Sequence, residues 1–258
     1  MVGFWRLFYR LPWLLLHLLV GLPLTLLSFS PPIRVIQLGG LGFNEVMQAW
    51  WASRLCRIFG LRRRIEGRFV PGPALVAANH IAWLDIQLLH SFSAMGFVAK
   101  AEIERWPVAG WVASFGETVF HHRGSHDSAS SVMSEMKQRL TAGRKVAIFP
   151  EGGILPGAGV KRFHARMFAA AIETSTPVQP VMLRYLRAGR LYPEITFLPG
   201  EGFLANFVRL LCQRPCIAEV RVLDPIDPAG KMRADLARLA QEAVAAAYGS
   251  GQPHEPAA

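Results

Sequence analysis

The sequence is poor in charged residues and in cysteine. Only 18% of its 258 residues are Asp, Glu, Lys or Arg, whereas 52% are hydrophobic. Its three cysteines, Cys56, Cys212 and Cys216, form an odd and scattered set. No further His or Cys lies near the second and third of them to complete a zinc site. This pattern predicts neither a disulfide framework nor bound zinc, and we expect the cysteines to be reduced and structural.

Several signatures of other protein classes are also missing. The sequence has no recognisable helix-turn-helix and no RNA-binding signature, so its formal charge of +10 does not indicate nucleic-acid binding. Together with long apolar segments, a basic surface favours an anionic membrane as the partner. The sequence also lacks a Gly-x-Ser-x-Gly elbow, which argues against a serine esterase.

The longest apolar segment covers residues 11–29, contains no Asp, Glu, Lys or Arg, and follows Arg6 and Arg10. Its length is close to the roughly 20 residues that span a bilayer. No small-x-small cleavage site follows it, which argues against a signal peptide. Because Pro12 and Pro23 interrupt the pattern, a re-entrant or steeply tilted segment is as compatible with the sequence as a straight crossing.

A second helical stretch, residues 43–61, contains Trp50 and Trp51 and ends at three arginines, residues 62–64. Tryptophans beside a cationic cluster are typical of the headgroup region of a membrane. We therefore predict that residues 1–64 form a two-helix membrane anchor. The alternative is a pair of ordinary core helices.

From residue 65 onward, short apolar runs alternate with helix-length segments, which predicts an α/β domain over residues 65–248. The predicted strands are residues 65–69, 74–78, 96–100, 117–121, 145–149, 178–184, 194–197 and 217–223. The predicted helices are residues 83–92, 108–115, 125–142, 163–173 and 232–248. Residues 249–258 are small and polar and are predicted to form a flexible tail.

A polar motif follows the apolar run at residues 74–78, in the sequence Asn79-His80-Ile81-Ala82-Trp83-Leu84-Asp85. Open α/β sheets place their ligand sites at such strand ends. Five residues do not line up on one helix face at about 100° per residue. His80 and Asp85 can therefore meet only if the histidine lies in the turn and the aspartate in the first helical turn. The carboxylate would then fix the imidazole tautomer and leave the other ring nitrogen as a general base.

Taken alone, the motif fits equally a histidine at a helix start with no catalytic role. Its context is more specific, because Asn-His-x-x-x-x-Asp in this setting resembles the glycerolipid acyltransferase family, the lysophosphatidic-acid acyltransferases. The resemblance extends over residues 74–185 and rests on four blocks in the same order. Residues 176–181, a proline-bounded strand, resemble the last of these blocks.

The second block of the resemblance spans residues 99–110, with Lys100 at a strand end and a Trp-Pro pair. Residues 116–123 also belong to it, and they end at Arg123. In the family this arginine is implicated in binding the acceptor's phosphate, a role that a planar guanidinium suits. His121 and His122 precede it without carboxylates at metal-binding spacing, so we expect no metal.

The third block is Phe-Pro-Glu-Gly, in which Glu151 and Gly152 follow a strand. The resemblance implies that Glu151 lies beside the acceptor. The family usually continues with threonine and often arginine, whereas residues 153–154 are Gly-Ile here. Lys161 and Arg162, a short loop further on, are candidates to supply the missing charge.

The resemblance implies a single α/β domain with a mixed, largely parallel sheet between helices, carried on the N-terminal anchor. It implies transfer of a fatty acyl group from acyl-CoA or acyl carrier protein to the hydroxyl of a lysolipid, without a cofactor. His80 and Asp85 would be catalytic. The residues expected to bind substrate are Asn79, Lys100, Arg123, Glu151, Gly152, Lys161 and Arg162. Lysophosphatidic acid is the first candidate acceptor, and a lyso-ornithine lipid is the alternative. A membrane lipid-binding protein without turnover is the alternative from another class. We expect the inner membrane as the location, with the catalytic domain facing the cytoplasm.

Overall fold

The computed structural model describes residues 3–100, 119–121, 126–154 and 159–250. Its helices are α1 Phe4–Leu16, α2 Leu22–Leu27, α3 Pro31–Arg34, α4 Phe43–Ile58, α5 Leu84–His90, α6 His126–Thr141, α7 Ala169–Glu173, α8 Phe203–Cys212 and α9 Arg233–Gly249. Its strands are β1 Gln37–Leu38, β2 Leu41–Gly42, β3 Leu61–Glu66, β4 Leu75–Ala78, β5 Gly96–Lys100, β6 Val119–His121, β7 Val146–Ile148, β8 Val178–Arg187, β9 Arg190–Leu191 and β10 Cys216–Val222. The helix predicted at 108–115 and residues 251–258 of the predicted tail lie outside the described residues.

One mixed sheet forms the centre of the domain. Its order is β3-β10-β8-β4-β7-β5-β6, and the short β9 pairs with β8. β8 runs antiparallel to β9 and β10, while the other neighbouring pairs are parallel. The predicted mixed, largely parallel sheet is therefore confirmed.

Strand β4 lies in the middle of this sheet, and all four of its side chains are fully buried. Alternate residues point to opposite faces of a strand. Leu75 and Ala77 contribute to the core that contains residues of α6 and α9, whereas Val76 and Ala78 contribute to the core that contains residues of α5 and α8. Helices on both faces explain why this strand is apolar throughout rather than alternating.

The strand predicted at residues 65–69 begins four residues earlier in the structure, at Leu61. β3 spans Leu61–Glu66 and pairs in parallel with β10 at the edge of the sheet. Arg63 turns inward to Ser53 and Ser91, with its Nη1 2.8 Å from Ser53 Oγ, while Arg62 and Arg64 are exposed. Charged side chains on an edge strand discourage pairing with other chains. The boundary predicted between residues 64 and 65 therefore falls inside a strand of the α/β domain.

Two further differences lie near residue 200. The strand predicted at residues 194–197 is a 3₁₀ turn, Pro193–Ile195, and helix α8 follows at a place where no helix was predicted. Pro193, at the start of this segment, favours a turn over a strand.

The helix predicted at residues 163–173 is also different in the structure, where it is split into a 3₁₀ turn, Ala165–Phe168, and α7.

The N-terminal segment packs on the α/β domain. α1, a π-helical turn at His17–Gly21 and α2 form a continuous apolar segment of 24 residues, Phe4–Leu27, which is long enough to cross a bilayer. Buried Arg10 donates from Nη1 to the carbonyl oxygen of Leu211 at 2.8 Å, at the end of α8. Cations are stabilised at such a helix C-terminus.

Helix α4 packs on this segment through Trp51, while Trp50 is half-buried. Trp51 is only 5% exposed and stacks on the His17 ring at a centroid distance of 3.9 Å. His17 Nε2 lies 3.0 Å from the carbonyl oxygen of Trp51. Trp51 is thus a packing residue, contrary to its predicted position at the membrane interface.

Candidate active site

The catalytic motif of the sequence forms a tight turn between β4 and α5. Asp85 lies in the first turn of α5, where its Oδ2 accepts hydrogen bonds from the backbone N–H groups of Ile81 at 2.6 Å and Ala82 at 2.9 Å. The carboxylate thereby satisfies two backbone donors of the turn, and its charge lies at the positive end of the helix dipole. His80 lies in the turn itself, as its spacing from Asp85 requires.

The same Asp85 oxygen lies 2.9 Å from His80 Nδ1. Asp85 is completely buried, and the His80 side chain is 13% exposed. The His80 ring stacks on Phe149 at 3.9 Å between centroids, with 12° between the planes. A carboxylate at Nδ1 holds the tautomer in which Nδ1 carries the hydrogen. Nε2 is then available to take a proton from a bound hydroxyl.

Tyr185 completes the surroundings of the aspartate and was not predicted as a site residue. Its hydroxyl donates to Asp85 Oδ1 at 2.6 Å from strand β8. Burial, followed by the neighbouring Asp85 charge, raises the pKa of Tyr185 well above its ordinary value, so this hydroxyl stays protonated. The sequence signal was indirect, since Tyr185 lies one residue beyond the predicted strand 178–184, which begins in the fourth block.

Asn79 connects the motif to the same strand. Its Nδ2 donates to the carbonyl oxygen of Leu183 at 2.9 Å, and its Oδ1 accepts the Leu183 N–H at 2.7 Å. Asn79 is 1% exposed and continues the β4–β8 pairing one residue beyond the end of β4. The residue was predicted to bind substrate, and its amide is here engaged with backbone while it also lines the pocket.

Glu151 follows β7 and lies beside the turn. Its Oε2 accepts the backbone N–H of His80 at 2.9 Å, and its Oε1 accepts that of Lys161 at 2.8 Å. Burial raises the pKa of Glu151, which is 6% exposed, while the two backbone hydrogen bonds oppose that shift. Glu151 therefore fixes the catalytic turn to the loop that carries Lys161. Gly152 has a φ of +81°, a left-handed conformation that glycine adopts without strain.

The predicted cations are placed differently from one another. Lys161 lines the pocket beside Glu151, while Arg162 is exposed. Lys100 is the last residue of β5, and its side chain is outside the described part of the structure. Arg123 also lies outside the described residues, as do residues 155–158.

A pocket of about 90 Å³ opens at this edge of the sheet. It brings together the predicted residues Asn79, His80, Glu151 and Lys161 with three tyrosines. The tyrosines are Tyr185, Tyr192 and Tyr248, and the remaining lining residues are Ile81, Gly159, Leu191, Pro193 and Thr196. The pocket is therefore lined by one imidazole base, one buried carboxyl and one lysine among mostly aromatic and apolar residues.

Two buried cysteines, Cys56 and Cys216, lie near Tyr185. Burial raises the pKa of Cys56 to about 12 and that of Cys216 to about 11. Both thiols are protonated near neutral pH, so neither is a candidate nucleophile. Direct attack by a bound hydroxyl with His80 as base is the chemistry that the pocket supports.

Comparisons with known proteins also indicate an acyltransferase. The sequence profile of the family described as Acyltransferase matches residues 62–184. The chain is 38% identical over 211 residues to a lyso-ornithine lipid O-acyltransferase of Pseudomonas aeruginosa, and this alignment covers 81% of each chain. It is 37% identical over 115 residues, 45% of each chain, to a 1-acyl-sn-glycerol-3-phosphate acyltransferase of Neisseria gonorrhoeae.

The fold also has a counterpart among solved structures. The crystal structure of the 1-acyl-sn-glycerophosphate (LPA) acyltransferase PlsC from Thermotoga maritima aligns with a TM-score of 0.71 over 97% of each chain. The two sequences are 19% identical, so this likeness concerns the fold.

We expect His80→Ala to abolish thiol release from an acyl thioester in the presence of acceptor, and Asp85→Asn to remove most of it. A general base typically contributes 10²–10⁴-fold, and Asp85 holds the base in position. Circular dichroism of the purified variants controls for folding. A folded His80→Ala protein that keeps more than about a tenth of the wild-type rate would contradict the role of His80.

We expect Tyr185→Phe to lower kcat about tenfold or more with little change in KM. The substitution removes one hydrogen bond to a buried carboxylate, an interaction that contributes about 1.5–3 kcal/mol. Tyr9→Phe is the matched control, because Tyr9 is 45% exposed on α1. Equal kcat values for the two variants would show that Tyr185 does not position Asp85.

Proposed function

Because the chain belongs to the glycerolipid acyltransferase family, we propose that it acylates the free hydroxyl of a lysolipid. The observation that carries this proposal is the His80–Asp85 pair at the wall of the pocket, with Nδ1 held at 2.9 Å from the carboxylate. His80 takes the hydroxyl proton as the oxygen attacks the carbonyl carbon of an acyl thioester. The C–O bond forms, the C–S bond breaks, and the proton passes from the imidazolium to the departing thiolate. Acyl-CoA or acyl carrier protein is the donor.

Asp85 stabilises the imidazolium that forms during this step. Its own position depends on three donors besides His80, namely Tyr185 and two backbone N–H groups. A base fixed in this way loses little orientational freedom when the acceptor binds. No acyl-enzyme is part of the proposal, because the hydroxyl attacks the thioester directly.

For the acceptor we propose a lyso-ornithine lipid. Support comes from the likeness to the Pseudomonas aeruginosa lyso-ornithine lipid O-acyltransferase, which extends over 81% of the chain. A relative from Brucella abortus with the same name is 29% identical over 88% of the chain. The residues after Glu151, Gly153 and Ile154, offer neither hydroxyl nor cation to a phosphate.

Lysophosphatidic acid is the second candidate acceptor. Arg123 favours it, because a guanidinium at this place in the family's pattern suits a phosphate. Lys161 serves either acceptor, since its ammonium can pair with the carboxylate of an ornithine headgroup or with a phosphate. The two acceptors therefore differ chiefly in how far they depend on Arg123.

Rates with the two acceptors test the headgroup. We expect wild type to act faster on the lyso-ornithine lipid and Lys161→Ala to lose at least about thirtyfold, because a charged contact at a desolvated site contributes about 2–5 kcal/mol. Arg162→Ala is the matched control, as its side chain is exposed. Arg123→Ala should have little effect on the rate of acylation of the lyso-ornithine lipid. Faster acylation of lysophosphatidic acid, together with a large loss in Arg123→Ala, would identify the phosphate lipid as the acceptor instead.

We propose that the protein is bound to the cytoplasmic face of the inner membrane through its N-terminal segment. Large apolar side chains of α1 and the following turn face outward, with Phe8 80% exposed and Leu19 74% exposed. Arg10, in the middle of the same segment, is bound to the end of α8. A segment held against the domain in this way favours an in-plane position over a separate crossing. The thioester donors are cytoplasmic metabolites, which favours that face.

Full-length protein should resist extraction from membranes by high salt or carbonate and be released by detergent. A chain lacking residues 1–64 is not a suitable comparison, because Trp51, Cys56 and Leu61 are core residues. Phe8→Glu with Leu19→Glu should weaken membrane binding, since each change places a charge where apolar area is buried. Release of the wild-type protein by salt alone would contradict apolar insertion and would show that its attachment to the membrane is electrostatic.

A further inference from the structure

Helix α8 presents an apolar face to the outside that the reaction does not use. Leu204 is 74% exposed and Val208 is 40% exposed, one helical turn apart. The opposite face is buried, with Asn206 at 0% and Leu210 at 2%. Exposed leucine and valine on one face of a short amphipathic helix are typical of a helix that lies at a membrane surface.

This helix is attached to the N-terminal segment. Arg10 binds the carbonyl oxygens of Leu211 and Gln213, and Arg6 Nη1 lies 3.5 Å from that of Cys212. At Gly3, a Cβ atom would lie 3.1 Å from the same Cys212 oxygen, so the two backbones approach closely. The outward apolar residues of α1 and α8 therefore belong to neighbouring helices fixed to each other.

The buried face of α8 reaches the catalytic motif. Trp83, between His80 and Asp85 in the chain, donates from Nε1 to Asn206 Oδ1 at 3.0 Å. Its ring stacks on Phe207 at 5.7 Å and meets Phe203 at 5.5 Å between centroids. The helix thus holds the turn that carries the base.

The same helix supports the wall of the pocket. Asn206 Nδ2 donates to the carbonyl oxygen of Thr196 at 3.1 Å, and Arg209 Nη2 donates to it at 2.8 Å. Thr196 lines the pocket together with Tyr192. One buried asparagine therefore links the outward helix both to the catalytic turn and to the substrate cavity.

We propose that α8 is a second membrane-contact element, which rests with α1 on the bilayer surface and holds the pocket at the lipid interface. This inference rests on the proposed membrane location. A bilayer fits as occupant because the apolar face adjoins the N-terminal apolar segment and the chain carries a net charge of +10, which suits anionic lipids. The acceptor is itself a lipid and has to reach His80 from that surface.

The test places an environment-sensitive fluorophore on Leu204→Cys in full-length protein. Cys212→Ser removes the partly exposed thiol, while Cys56 and Cys216 are buried. Met232→Cys is the matched control, because Met232 is 70% exposed at the start of α9, whose buried residues lie on the other face of the sheet. The vesicles are phosphatidylethanolamine and phosphatidylglycerol, with or without brominated phospholipid.

With vesicles, the label at position 204 should shift to the blue and be quenched by brominated lipid, while the label at position 232 stays in water. If the protein floats with vesicles but the emission of the label at position 204 is unchanged, the inference would be overturned. The proposed membrane location would not be affected. A blue shift without vesicles that grows with protein concentration would also overturn it, because the occupant would then be a second copy. Protein that does not float would refute the membrane location itself.

A functional measurement follows the same design. Leu204→Glu with Val208→Glu should slow acylation of vesicle-embedded acceptor about tenfold or more relative to Met232→Glu, because membrane binding scales with buried apolar area. Thermal unfolding of both variants controls for folding. Equal rates would overturn the inference. If the label at position 204 inserts into the membrane but wild type transfers no acyl group, the proposed reaction would be refuted. The inference that α8 contacts the membrane would not be affected.

Discussion

The buried carboxylate of Asp85 is the group on which the rest of the site depends. It is 0% exposed, and a carboxylate without partners would be too costly to keep in the core. Its Oδ2 faces His80 Nδ1 and two backbone N–H groups, and its Oδ1 accepts the hydroxyl of Tyr185. These partners come from the turn after β4 and from β8, so one anion joins a local motif to a distant strand.

Two other side chains also connect this turn to distant parts of the chain. The Asn79 amide pairs with both backbone groups of Leu183 and extends the pairing of β4 with β8 past the last strand residue. Glu151 uses one oxygen for the backbone of the catalytic turn and the other for the backbone of Lys161. The polar residues of the motifs are therefore partly structural, since they hold backbone groups that would otherwise be buried without partners. Within the part of the chain that the structure describes, His80 Nε2 has no hydrogen-bond partner, so this ring nitrogen can act as the base.

The helices on the other side of this turn extend the network to the surface. Trp83 connects the turn to Asn206, and Arg10 connects the end of α8 to the N-terminal segment. A segment that composition alone describes as a membrane anchor is in this way packed on the catalytic domain through a buried arginine. One set of side-chain contacts thus joins the N-terminal apolar segment to the catalytic turn.

The sequence by itself determined the elements whose signals are local. The apolar run before Asn79, the strand-end positions of His80 and Glu151, and the five-residue spacing to Asp85 predicted the catalytic turn, because strand, turn and helix signals act over a few residues. Only the tertiary structure decided the contacts between distant parts of the chain, such as the hydrogen bond from Tyr185 to Asp85, 100 residues apart, and that from Arg10 to Leu211, 201 residues apart. It also placed residues 61–64 in the sheet, because a strand rich in arginine is recognisable only when its partner β10 lies beside it. Pairing and burial depend on which segments meet in space, and no local pattern of residue types contains that information.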